Sequence, residues 1–133
     1  MKILGIEHIG IAVDDIKNDS IFWKEIMKID YSSTEEIEGQ GVLTDIYDTG
    51  KGKIELLEAT GLKSPISKFL RNHGPGVHHI CFEVENIEEA IKELKEKKIE
   101  LINEEATTGA EGYKIIFIHP RSTGGVLVEL AEK

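Results

Sequence analysis

The stretch "VHHICFEVENI" at residues 77–87 repeats, nearly line for line, the stretch "EHIGIAVDDI" at residues 7–16. Laying His79 on His8 puts Ile80 on Ile9, Val84 on Val13 and Ile87 on Ile16, all at one offset of 71, since 79 − 8 and 87 − 16 agree. Such self-similarity marks an internal duplication, and each copy carries a histidine at the same place. Around the first histidine the residues alternate, with Ile9, Ile11 and Val13 on one face and His8, Gly10 and Ala12 on the other, which is the period of a strand. The histidine therefore shares its face with very small neighbours.

Working outward, Asp14 and Asp15 offer caps for "IKNDSIFWKEIM", where Ile16, Phe22, Trp23, Ile26 and Met27 fall on one helical stripe expected to face the core. Three strands are predicted next, "YSSTEEI", "VLTDIYDT" and "KIELLEA", separated by Gly39-Gln40-Gly41 and by the hairpin turn Gly50-Lys51-Gly52. The second half repeats the plan. Strand "VHHICFEV" leads to helix "IEEAIKELKEKK", with Asn86 as cap and Glu89 in the capping-box position, and then to strands "IELINE", "YKIIFIHP" and "GVLVELAEK". Between the halves, "SPISKFL" reads as a short helix with Ser64 as cap and Pro65 at its first position, and "NHGPG" as a break. The fold class is α+β: two tandem βαβββ modules, residues 1–59 and 77–133, joined by a structured connector over 60–76. One such module cannot cover its own sheet, so the two are expected to form a single mixed-sheet domain around a metal-binding cleft.

A chain of 133 residues with 40% hydrophobic residues fits one domain with a sizeable core. Its net charge of −9 argues against nucleic acid and against an anionic membrane as partners, because both would repel the surface at long range. The lone cysteine, Cys81, excludes an intramolecular disulfide and sits in an apolar strand pattern, where it reads as a buried structural thiol. The opening "MKILGIEHIG" lacks the apolar region of a secretory signal, and no run approaches the roughly 18 apolar residues of a membrane span. The expected location is cytoplasmic.

The segments "KIELLEA" and "VLVELAE" each set a glutamate among aliphatic residues, Glu55 between Ile54 and Leu56, and Glu129 between Val128 and Leu130. Glu55 follows His8 by 47 residues (55 − 8) and Glu129 follows His79 by 50 (129 − 79). The duplication thus delivers a histidine on the first strand and a glutamate on the last strand of each module. Imidazole nitrogen and carboxylate oxygen suit a borderline divalent ion such as zinc, cobalt, nickel, manganese or iron, whereas an all-oxygen shell would suit magnesium or calcium. Four protein ligands leave two positions of an octahedron for substrate oxygens, so the ion could act as a Lewis acid on a carbonyl. A single strand histidine is ordinarily a hydrogen-bonded structural residue, and a strand glutamate among aliphatics ordinarily faces solvent. The recurrence of the pair is what singles out these four. His73 and His78 lack partners in the other half and read as surface or supporting residues. His119, before Pro120, is a candidate to line the pocket, while Phe22 and Trp23 read as core.

At this point the chain resembles the vicinal oxygen chelate superfamily and, within it, the methylmalonyl-CoA epimerase family. The stretches "EHIGIAVDDI", "GQGV", "KIELLEA", "SPISKFL", "VHHICFEVENIEEAI" and "GAEGYKIIFIHPRSTGGVLVEL" carry the resemblance, in order and over nearly the whole chain. The segment "HPRSTGGVLVEL" separates the epimerases from generic members, whose shared signal is only a His and a Glu, twice. The resemblance implies a glyoxalase/bleomycin-resistance-like fold and interconversion of the 2R and 2S epimers of methylmalonyl-CoA, between propionyl-CoA carboxylation and the cobalamin mutase. It also implies a homodimer and a metal, often cobalt, held by His8, Glu55, His79 and Glu129. Two glutamates serve as acid and base in that family. One corresponds to Glu129, and the other immediately precedes the Gln-Gly of the motif written here "EGQGV". This chain has Gly39 at that position and Glu38 one residue earlier, so Glu38 is the candidate for the second role.

The nearest enzyme alternative is glyoxalase I, which uses the same ligand set on the hemithioacetal of methylglyoxal. A non-catalytic ligand-binding protein of the same fold is a second alternative, kept open by Gly39. An extradiol dioxygenase fits less well, since its iron takes two histidines and one carboxylate. For the anionic CoA moiety, Lys63, Lys68, Arg71, Lys114 and Arg121 are candidate cations.

Overall fold

Asp15 and Asn86, again 71 residues apart, start the two module helices in the same way. In the computed structural model, which describes residues 1–133 except for the side chain of Glu38, helix α1 (Ile16–Ile21) has Asp15 as its N-cap, accepting from the amide of Lys17 at 3.0 Å. Helix α3 (Ile87–Glu96) has Asn86, accepting from the amide of Glu89 at 3.0 Å. A third helix, α2 (Pro65–His73), has Ser64 as cap and Pro65 in its first turn, and ends at Gly74, whose φ of 78° only glycine adopts at little cost.

The strands are β1 (Ile3–Ala12), β2 (Asp30–Ile37), β3 (Val42–Asp48), β4 (Lys53–Ala59), β5 (Gly76–Val84), β6 (Thr107–Thr108), β7 (Lys114–Ile118) and β8 (Val128–Glu132). The chain divides into two compact units, residues 8–78 and residues 1–7 with 79–133, so it passes from one unit to the other just before each of the repeated histidines.

In the unit of residues 8–78 the strand order is β2-β3-β4-β1, with β1 parallel to β4 and the other pairs antiparallel. One face of this sheet packs Val13, Ile16, Tyr47 and Leu56 together with Trp23, and the other packs Ala12, Val42 and Leu57 against Ile66 of α2. In the second unit the order is β5-β8-β7-β6. There α3 lays Ile87, Ala90, Ile91 and Leu94 onto Val84, Ile116, Ile118 and Leu130, the i, i+3, i+4, i+7 face of an amphipathic helix. The first residues dock on this second unit: the amide of Glu85 donates to the carbonyl of Lys2 at 3.0 Å, and Lys133 pairs with buried Glu7 at 2.9 Å.

Two expectations are corrected. The stripe running from Ile16 to Met27 is not one buried face. After Ile21 the helix widens into a π-type turn over Phe22–Ile26, with the amide of Met27 bonded to the carbonyl of Phe22, five residues back. The wider turn breaks the 3.6-residue phase, so Ile16 is buried and Trp23 packs, but Phe22, Ile26 and Met27 stand exposed at 50%, 66% and 53%. The predicted strand "IELINE" is reduced to a single bridge, Leu101 with Ile118. The amide of Glu100 donates instead to the hydroxyl of Ser122 at 3.0 Å, which draws the segment away from a continuing ladder; the short β6 pairs with β7 instead.

A polar chain leads from exposed Thr34 to buried Asp45 and Tyr47 on the helix-covered face of the first unit. The hydroxyl of Tyr47 donates to Asp45 at 2.8 Å, and Thr34 donates to the other oxygen of the same carboxylate. Burial first, and then the Asp45 carboxylate, push the Tyr47 hydroxyl up from 10.0 to about 12. A raised tyrosine pKa means that the unfolded chain loses its proton first, so this contribution is whole below pH 10 and is lost as pH rises toward 12. At about 1.4 kcal/mol per unit, the loss amounts to roughly 2–3 kcal/mol. Denaturant midpoints measured between pH 9 and 12 should fall more steeply for the wild type than for Tyr47→Phe, and parallel curves would refute this assignment.

Candidate metal centre

The two parallel ladders repeat each other residue by residue. On β1 and β4, Gly10 lies opposite Glu55; on β5 and β8, Cys81 lies opposite Glu129. In both cases the residue facing the glutamate follows the histidine by two (10 − 8 and 81 − 79). Residues two apart on a strand share a face, as do cross-strand partners. His8 and Glu55 therefore project together in one unit, and His79 and Glu129 together in the other.

The side chains meet as the register requires. His8 Nδ1 is 3.1 Å from Glu55 Oε2, and His79 Nε2 is 3.1 Å from Glu129 Oε1. All four side chains are between 5% and 7% exposed. Phe117, opposite Glu129 on β7, sets its ring edge-on to His79 at 5.6 Å, and Ile46 takes the corresponding place opposite Glu55 on β3.

Burying carboxylates this deeply demands positive charge nearby. Imidazolium can supply it, and so can a divalent cation. Two donors bound cis to one octahedral ion at about 2.1 Å stand about 3.0 Å apart, and both pairs match that spacing. The nitrogen and oxygen donors are also those of a borderline divalent ion rather than of calcium or magnesium. The residues fit a metal of the predicted class.

Three residues beyond each of these glutamates stands another that the sequence reading missed. Glu58 Oε1 accepts from the amide of Ile16 at 2.9 Å, and Glu132 Oε1 accepts from the amide of Ile87 at 2.9 Å. Each ties the first turn of a module helix to the strand that carries the buried glutamate. An odd spacing puts the two carboxylates of a strand on opposite faces, one toward the histidine and one toward the helix. The signal was in the sequence, since 132 − 58 and 129 − 55 both equal 74, but nothing local distinguishes Glu58 from a solvated surface acid.

The remaining candidates separate. Glu38 begins the short turn Glu38–Gln40 after β2, and its side chain lies outside the described residues. At Gly39 an added Cβ would have nothing within 4 Å, so crowding does not force glycine there. His119 caps its own turn, its Nδ1 accepting from the amide of Arg121, and its Nε2 lies 3.6 Å from Glu100. Arg121 also pairs with Glu100, at 2.8 Å, and Arg71 donates to the carbonyl of Leu62. His73 and His78 both pack against Phe69 of α2. Cys81 is fully buried, as expected.

The chain matches the family model described as Glyoxalase/Bleomycin resistance protein/Dioxygenase superfamily over residues 7–117. It is 42% identical over 128 residues to the mitochondrial methylmalonyl-CoA epimerase of Homo sapiens, covering 96% of this chain and 73% of that one. A solved methylmalonyl-CoA epimerase in complex with methylmalonyl-CoA and NH4+ is similar with a TM-score of 0.94 at 31% identity, over 99% of this chain and 96% of that one. A variant of the Streptomyces coelicolor epimerase in complex with 2-nitronate-propionyl-CoA has a TM-score of 0.93 at 30% identity, over 99% of both chains. These likenesses bear out the α+β fold class and the glyoxalase-like fold that the resemblance implied. Among the described residues, no helix is long and apolar enough to cross a membrane.

Proposed function

Since the chain belongs to the methylmalonyl-CoA epimerase family of the glyoxalase/bleomycin-resistance/dioxygenase superfamily, and is thereby an isomerase, we propose that it interconverts the 2R and 2S epimers of methylmalonyl-CoA. The observation that carries this reading is the pair of buried His–Glu contacts, both 3.1 Å, at equivalent registers of the two units. His8, Glu55, His79 and Glu129 would together hold one divalent ion, with cobalt our choice. When bound, the ion supplies a Lewis acid that draws negative charge onto the thioester oxygen.

The chain's own groups move the proton. The Glu129 carboxylate takes the proton from C2 of one epimer, and the electron pair of the broken C–H bond passes into the thioester carbonyl as an enolate. The thioester makes that carbon acidic enough for a carboxylate base, and burial of the site strengthens every charge interaction along the way. A second acid on the opposite face then returns a proton to C2. We draw that acid from the run of glutamates at the end of β2. Glu38 is nearest in sequence to the family position.

Cytoplasmic propionate metabolism and a homodimer belong to the same reading. A single cysteine, with no partner for an intramolecular disulfide, suits a reducing compartment, and exposed Ile21, Phe22, Ile26 and Met27 offer apolar area that a second copy could cover.

Proton exchange at C2 of methylmalonyl-CoA in D2O, followed by NMR on metal-stripped and cobalt-reloaded protein beside an assay of net inversion, tests the proposal. Metal-dependent exchange with inversion is expected. No exchange at all, or turnover of the methylglyoxal hemithioacetal instead, would sink it.

A further inference from the structure

We propose that the second acid/base is Glu35, on β2, rather than Glu38 in the turn that follows; the inference rests on the epimerase reading above. The argument is one of register. On β3 and β4, Ile46 lies opposite Glu55 and Thr44 opposite Leu57; on β2 and β3, Ser33 lies opposite Ile46 and Glu35 opposite Thr44. Cross-strand partners share a face, and so do residues two apart. Ser33, Glu35 and Ile37 thus project on the face that carries His8 and Glu55, whereas Thr34 and Glu36 project on the face covered by α1.

Burial agrees with the register. Ser33, Glu35 and Ile37 are all half-buried, while Thr34 and Glu36 between them are exposed. The opposite face is marked independently by the bond from Thr34 to Asp45. The bulge in this pairing falls between Tyr31 and Ser33, before the row concerned, so no slip intervenes.

Position and support both suit the role. Glu35 lies two strands across from Glu55, about 10 Å, and two residues along, about 7 Å. That is too far to share an ion with Glu55 and near enough to reach a substrate held at it. A strand fixes a catalytic carboxylate more tightly than a three-residue turn that contains one glycine and is followed by another. Directly opposite Glu35, the hydroxyl of Thr44 is fully buried and has no hydrogen-bond partner among the described residues. A buried hydroxyl without an acceptor is costly, and the Glu35 carboxylate folded back across the ladder would supply one. Thr44 would then be a positioning residue for Glu35.

The step balances. Glu129 takes the C2 proton of one epimer, the electron pair resides in the enolate, and the carboxylic acid of Glu35 delivers its proton to the other face. Glu129 ends protonated and Glu35 ionised, which is the starting state for the reverse reaction; solvent exchange resets either group.

The test compares Glu35→Gln and Glu38→Gln in the cobalt-loaded protein, with C2 exchange in D2O followed separately from each epimer. Glu35→Gln should lose inversion by at least about 10²-fold and keep exchange from one epimer only, with an unchanged melting temperature and cobalt absorption spectrum. Glu35→Asp should recover part of the inversion, and Glu38→Gln should stay within about threefold of wild type. Inversion preserved in Glu35→Gln, or lost in Glu38→Gln, overturns the assignment. Wild-type protein that neither exchanges nor inverts would overturn the epimerase reading itself, and Glu35 with it.

Discussion

Glu129→Gln is expected to lower the rate of epimerisation by about 10³–10⁴-fold in both directions, whereas Glu55→Gln should retain activity within about tenfold. The two glutamates hold equivalent registers, each 3.1 Å from its histidine and each buried. Fold symmetry alone would give them equal weight. The proposed chemistry does not: Glu55 only holds the ion, and a glutamine oxygen can still do that, while Glu129 must also accept the proton from C2. An amide cannot. Exchange of the C2 proton should therefore disappear in Glu129→Gln from the epimer that Glu129 deprotonates, together with inversion, and cobalt content should fall in part. Equal losses in the two variants would mean that neither glutamate acts as base and that both serve only the metal.

The second large effect follows from removing the ion. Without it, a carboxylate and an imidazole remain buried together in each unit, and the charge that builds on the thioester oxygen has no cation to meet. Chelated, dialysed protein should lose at least about 10²-fold in epimerisation and recover it with cobalt. The same ion should stabilise the fold by mass action, about 2.7 kcal/mol when present at a hundred times its dissociation constant, which for a chain of this size raises the melting temperature by about 10 °C. Glu129→Gln should show a smaller cobalt-induced rise than wild type. Full turnover by protein shown by elemental analysis to be free of metal would sink the metal-dependent mechanism.

Much of this was legible in the sequence because of the duplication. One histidine on a strand carries little information, but His8 and His79 at a common offset, each with a glutamate on a later strand, define a pattern that chance does not supply. Caps were equally readable, since Asp15, Ser64 and Asn86 act through local hydrogen bonds that a short window contains. What escaped depends on nonlocal geometry. The π-type turn at Phe22–Ile26 leaves the residue types of the stripe intact while altering its phase, so period counting from Ile16 placed Phe22, Ile26 and Met27 inside. The strand expected at "IELINE" failed because the amide of Glu100 found a hydroxyl 22 residues away. The choice between Glu35 and Glu36 turns on which face of β2 each occupies, and only the pairing with Thr44 and Leu43 decides that.

The odd spacing of the two carboxylates on β4 and on β8 also bears on how the chain finds its register during folding. A slip of either strand by one position would turn Glu55 or Glu129 into the aliphatic layer beneath a helix, and at the same moment turn Glu58 or Glu132 away from the helix amide it satisfies. Both errors occur together, and both bury an unmatched charge or donor. Misaligned pairings are therefore penalised twice, so each strand proofreads its own alignment, and the residues that make the site chemically competent also discard the misfolded sheets most similar to the native one.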